Sequence, residues 1–83
     1  MNRQNSAAPA GVIGAAIRTR RRSLHLTQAE LADLAQCSER AVRDLERGGG
    51  APRLDTMLAV LGALGLGLQV INAHGEVVVA DGI

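Results

Sequence analysis

The sequence predicts a mainly α domain of four to five helices that ends in a β-strand or hairpin. Apolar residues recur at helical spacing in four segments between Gly11 and Leu64. Hydroxyl residues stand where helices would begin, and glycines stand where the later ones would end. After Gly65 the period changes to two, in Leu66, Leu68 and Val70, and a β-branched run, Val77 to Val79, follows.

Residues 1–10 are polar and small and include Pro9, so they read as a disordered arm. A helical domain is expected over residues 11–65 and a β dimerisation segment over 66–83. Helix one runs from Gly11 to about Ser23, with Ile13, Ala16 and Ile17 inward and Leu24 next in phase. Thr27-Gln-Ala-Glu30 is a capping box, in which each end residue's side chain bonds the other's amide. Leu26 and Leu31 flank it as a hydrophobic staple, and Leu31, Leu34 and Ala35 mark the buried stripe of helix two, about 28–35.

Gln36-Cys37-Ser38 separates helix two from helix three. Ser38 is an N-cap, and Glu39 in the first turn suits the helix dipole. Val42 and Leu45 face inward, Arg40, Arg43 and Asp44 outward, and Gly48 stops the helix. After a loop to Pro52, helix four spans about Leu54 to Leu64. Its expected stripe is Leu54, Met57, Leu58, Leu61 and Leu64, and Gly62 weakens it by roughly 1 kcal/mol relative to Ala. Asn72-Ala-His-Gly75 is the expected hairpin turn before Glu76 to Ala80. An isolated hairpin is marginal in water, so it must pack on the helices, pair with another chain, or both.

Composition excludes several function classes. The 83 residues contain no Phe, Trp or Tyr, so nothing can stack single-stranded bases or form an aromatic cage. The single Cys37 excludes an internal disulfide, and no Cys/His grouping has metal-ligand spacing. There is no nucleophile–base pair, so neither an enzyme nor a cofactor is expected. No apolar stretch reaches membrane-spanning length, and the short run Val12 to Ile17 is followed by arginines and not by a cleavage site, so a cytoplasmic protein is expected. A small core built from Leu, Val, Ile and Ala, without staples, points to a homodimer.

The net charge of +1 conceals an uneven distribution. Residues 18–53 carry eight of the nine Arg and a net +3, and residues 54–83 carry three acids and no base. A basic middle and an acidic, apolar tail suggest two surfaces with different partners.

Helices two and three, joined by a three-residue turn and flanked on both sides, form a helix-turn-helix frame. In that frame the second helix enters the DNA major groove with its N-terminal residues near base edges. Here it begins Ser38-Glu39-Arg40-Ala41-Val42-Arg43-Asp44; arginine can bridge guanine O6 and N7, and a carboxylate can accept from cytosine.

Leu26-Thr-Gln-Ala-Glu-Leu-Ala32, Ser38-Glu-Arg-Ala-Val42 and Leu45-Glu-Arg-Gly48 resemble the Xre/phage-repressor helix-turn-helix superfamily. Pro52 to Leu61 and Leu66 to Val70 resemble its HipB-like antitoxin branch, and the match spans roughly residues 11–71. The resemblance implies phosphate contacts at Thr27, Gln28, Arg47 and Arg53, and base contacts at Ser38, Glu39, Arg40, Arg43 and Asp44. It implies an interhelical ion pair of Arg21 with Glu46, and a close helix crossing at Ala32. It implies dimerisation through the β segment, assigned here to Leu66, Leu68, Val70, Val77 and Val79. The implied partners are double-stranded DNA carrying a palindromic operator, a second copy, and a toxin of the HipA-like serine/threonine-kinase type. The implied function is a nucleoid-associated bacterial antitoxin that autoregulates its operon. The alternative is a stand-alone prophage-type repressor or restriction–modification controller without a toxin. Where the family often has glycine in the turn, this chain has Gln36. A left-handed non-glycine residue costs on the order of 1 kcal/mol, which predicts a slightly altered turn.

Several of these residues also have simpler roles. Arg18, Arg20, Arg21 and Arg22 make either a solvated helix face or phosphate contacts. Asp44 has the four-residue spacing to pair with Arg40. Cys37 beside a helix N-terminus is either a thiol of lowered pKa or a plain turn residue. His25 and His74 are isolated and read as surface or turn residues.

Overall fold

Pro9 is the first described residue of the first helix, and proline is tolerated in a helix's first turn. The computed structural model describes residues 9–71 and 76–81. They form α1 (Pro9–Ser23), α2 (Gln28–Ala35), α3 (Glu39–Arg47), α4 (Leu54–Ala63), β1 (Leu66–Ile71) and β2 (Glu76–Asp81). The helix takes in Pro9 and Ala10, which the sequence places in an arm. The rest of that arm, residues 1–8, and the turn at 72–75 lie outside the described residues.

The caps of α2 and α3 follow local chemistry. Thr27 Oγ1 accepts from the Glu30 amide at 3.0 Å, and the Thr27 amide donates to Glu30 Oε1 at 2.8 Å. Ser38 Oγ accepts from the Ala41 amide at 3.0 Å. At the other end of α2, Gln36 adopts φ 57°, and the Cys37 amide reaches the Ala32 carbonyl at 3.0 Å. The turn therefore keeps the left-handed geometry that glycine usually supplies, and glutamine bears the strain. His25 does the same after α1, also at φ 57°, with the Leu26 amide on the Arg21 carbonyl at 3.1 Å.

All four helices contribute to one core, comprising Ile13 and Ile17, Leu31 and Ala32, Val42 and Leu45, then Val60, Leu61 and the α4 cap residue Leu64. The stripe of α4 departs from the expected one. Leu54 and Leu58 are 64% and 47% exposed, and Val60 is fully buried. The helix is apolar nearly all round, so periodicity does not choose its buried face; packing on α2 and β1 does.

The strands pair antiparallel, with Leu68 opposite Val79 and Val70 opposite Val77. β1 packs on α4 and β2 on α1, which supplies the support a lone hairpin lacks. Leu66, Leu68 and Val79 lie partly buried against their own core, whereas Val70 is 74% exposed. The apolar face is drawn to the nearest helices of the same chain.

Candidate nucleic-acid interface

The surface over α2 and α3 begins with a buried anchor. Arg21 on α1 and Glu46 on α3 meet side by side, Nε to Oε2 at 2.6 Å and Nη2 to Oε1 at 3.1 Å. Their side chains are only 13% and 4% exposed. Arg21 Nη1 also donates to the Leu26 carbonyl at 2.8 Å, and Gln28 Nε2 donates to Glu46 Oε1 at 3.1 Å. The hydrogen bond from Glu46 holds the Arg21 guanidinium above its ordinary pKa, against the opposing effect of burial. The network ties α1, the start of α2 and the last turn of α3 together, so it sets the tilt of α3.

Ser38, Glu39, Arg40 and Arg43 are exposed along the start of α3, and Asp44 is half-buried behind them. The charges pair along the helix: Arg40 Nε lies 3.8 Å from Asp44 Oδ2, and Arg43 Nη1 lies 3.5 Å from Glu39 Oε2. Arg47 Nη2 donates to Asp44 Oδ1 at 3.2 Å. Exposed pairs of this kind contribute about 0–1 kcal/mol and exchange readily for other partners. Thr27 is exposed at the start of α2, beside Gln28. Arg53 stands at the N-cap of α4 and grips Asp55 with two hydrogen bonds of 3.1 Å, which hold the Asp55 carboxyl below its usual pKa. Ser38, Glu39, Arg40, Arg43 and Asp44 thus share one helix, and Arg53 begins the next.

The arginines of α1 divide by role. Arg20 Nε donates to the Leu64 carbonyl at 3.0 Å and caps α4. Arg21 is consumed by Glu46, and Arg18 and Arg22 are exposed with no ion pair among the described residues. Cys37 is half-buried, and burial pushes its thiol up, opposite to the direction a helix N-terminus alone would give. His25 is an exposed turn residue, and His74 lies outside the described residues. Among the described residues no three His, Cys, Asp or Glu side chains gather as metal ligands, and no helix is long and apolar enough to cross a membrane.

Two positions escape a reading of the sequence. Gly14 lets α1 cross α3 in close contact, since an added Cβ would lie 2.7 Å from the Glu46 carbonyl oxygen and closer still to that of Leu45. The only signal is a glycine inside an apolar helical stripe. The second is the capping role of Arg20, which nothing distinguishes from its neighbours until the end of α4 is brought beside α1.

A short helix pair that exposes the polar start of its second helix, beside a group of arginines, defines a helix-turn-helix unit. Residues 17–71 match the helix-turn-helix family HTH_3, and the chain belongs to this Xre-type family. Two crystal structures of the clp gene regulator ClgR from Corynebacterium glutamicum are similar to it. One has a TM-score of 0.65 at 30% identity, over 74% of this chain and 65% of that one. The other has a TM-score of 0.64 at 30% identity, over 72% and 78%. The chain thus spans 65% of the length of the first ClgR structure. No curated protein sequence matches significantly.

Proposed function

We propose that the chain is a dimeric, sequence-specific repressor that reads a palindromic operator with the start of α3. Arg40 and Arg43 address guanine, Glu39 and Asp44 address cytosine amino groups, and Ser38 serves either. Thr27, Gln28, Arg47 and Arg53 hold the backbone in register. The observation that carries this reading is the start of α3 itself. The Arg40 side chain is 83% exposed and held only by a 3.8 Å pair within its own helix, so DNA can take it over at little cost. A mobility shift on the upstream DNA of its own gene tests the reading; equal affinity for that duplex and an unrelated one would contradict it.

Dimerisation is proposed to run through the hairpin edges and not its apolar face. That face rests on α1 and α4, while each strand of the two-stranded sheet pairs on one side only among the described residues. Open edges invite a second copy, with Val70 and Val77 at the far end of the ladder. Two copies would set their α3 helices about 34 Å apart on the operator. A monomeric mass by light scattering would refute this.

A finer reading makes the protein a cytoplasmic, nucleoid-associated antitoxin of a type II pair that also binds a HipA-like kinase toxin. What favours it is the segment from Leu54 onward, with three acids and no base, and the exposed Leu54 and Leu58. DNA binding requires neither feature. Co-purification with the product of the neighbouring gene tests it, and failure of the two to associate leaves a stand-alone repressor.

A further inference from the structure

We infer that Arg18 is a DNA-backbone ligand that seats one phosphate in a cleft between α1 and α3. The inference rests on the DNA-binding reading above and adds a helix to the interface that the helix-turn-helix pair does not include. The cleft has a volume of about 260 Å³ and is lined by Arg18, Arg21, Gln28, Arg43, Glu46 and Arg47. Four arginines and an amide therefore surround a single carboxylate. That carboxylate is already satisfied, since Arg21 binds both oxygens of Glu46 and Gln28 donates to one of them. The positive charge of Arg18, Arg43 and Arg47 remains.

The three cations differ in what restrains them. Arg43 lies 3.5 Å from Glu39 and Arg47 lies 3.2 Å from Asp44, both exposed pairs within α3. Arg18 has no acidic partner among the described residues. Its place follows from the helix crossing. Gly14 brings the α1 backbone against the Leu45 and Glu46 carbonyls, and Arg18 stands one turn further along the same face. The guanidinium is thereby delivered beside the last turn of α3. Four of the cleft's lining residues, Gln28, Arg43, Glu46 and Arg47, belong to the helix pair placed on DNA above, so a duplex docked on α3 brings its backbone to this opening. A phosphodiester fits the chemistry, because its two non-bridging oxygens accept paired N–H donors from a planar guanidinium.

The test is equilibrium binding as a function of salt. Wild type, Arg18→Gln and Arg22→Gln are compared on the upstream duplex and on an unrelated duplex of equal length. Arg22→Gln removes the same charge from the same helix at a position that does not line the cleft. Arg18→Gln is expected to weaken binding to both duplexes by a similar factor and to reduce the salt slope by about one. Arg22→Gln is expected to change the slope by less than half as much. An unchanged slope for Arg18→Gln, or a loss confined to the upstream duplex, overturns the inference and leaves the DNA-binding reading standing. Wild type that binds neither duplex overturns both. Inorganic phosphate that binds the wild type through Arg18, with no effect of Arg18→Gln on duplex affinity, assigns the cleft to a free anion and overturns the inference. Arg18 is exposed, and an unchanged thermal midpoint verifies that the variant is folded.

Discussion

Gly14 of α1 lies against the Leu45 carbonyl of α3 so closely that a single methyl group on its α-carbon would overlap that oxygen. Both neighbours are backbone and cannot rotate aside. Overpacking of this kind costs about 1–3 kcal/mol and sometimes more. Gly14→Ala is therefore expected to lower the thermal midpoint, at about 4–8 °C per kcal/mol for a domain of this size. Gly62 in α4 has open space where its Cβ would be, so Gly62→Ala is expected to stabilise by about 0.5–1 kcal/mol. Calorimetry on both variants checks the contrast, which helix propensity alone would not produce.

The Arg21–Glu46 pair makes a second prediction. Removing one partner of a nearly buried pair leaves the other charge unmatched, at a cost of about 3 kcal/mol. Glu46→Gln also leaves one acceptor oxygen for three donors, two from Arg21 and one from Gln28, and loosens the seat of α3. Denaturant unfolding is expected to show that loss. The double variant Arg21→Met, Glu46→Leu is expected to recover much of it, because no charge is then left buried.

The left-handed caps make a third. Gln36 and His25 hold φ of 57° without being glycine. Replacing either by glycine removes a strain on the order of 1 kcal/mol, less the added freedom of the unfolded chain. Both Gln36→Gly and His25→Gly are expected to raise the unfolding midpoint slightly. Alanine, which keeps the Cβ, is not expected to do so.

Cys37 makes a fourth. Its thiol is half-buried and raised in pKa, so at a given pH it carries less thiolate than an exposed cysteine. Alkylation by iodoacetamide is expected to be slower in the native protein than in denaturant. Native alkylation as fast as the denatured reaction would show a reactive thiol instead.

These residues also show which features a sequence displays. Thr27 with Glu30, and Ser38 with Glu39, announce the starts of α2 and α3 because capping involves neighbours a few positions apart. Gly48 announces the end of α3 for the same reason. The face of α4 is not legible, because Leu54, Met57, Leu58, Val60 and Leu61 leave several apolar stripes open and only α2 and β1 select among them. The fate of Leu66 and Leu68 is hidden likewise, since alternation shows an apolar face but not what it rests on. Gly14 and Arg20 act on residues more than thirty positions away, and local pattern carries no trace of such contacts. On the interface, the residue types of α3 are plain in the sequence. The division of the α1 arginines among capping Leu64, binding Glu46 and facing the cleft comes only from tertiary packing.

The most direct test of operator reading by α3 is binding to the upstream duplex and an unrelated one by wild type and by the Arg40→Ala, Arg43→Ala double variant, at two salt concentrations. Wild type is expected to prefer the upstream duplex and to lose affinity steeply with salt. The double variant is expected to lose most of that preference, at about 1–3 kcal/mol for each base-reading arginine, while keeping weak, salt-sensitive binding to both. A double variant that still discriminates as wild type does would contradict the reading of DNA by α3.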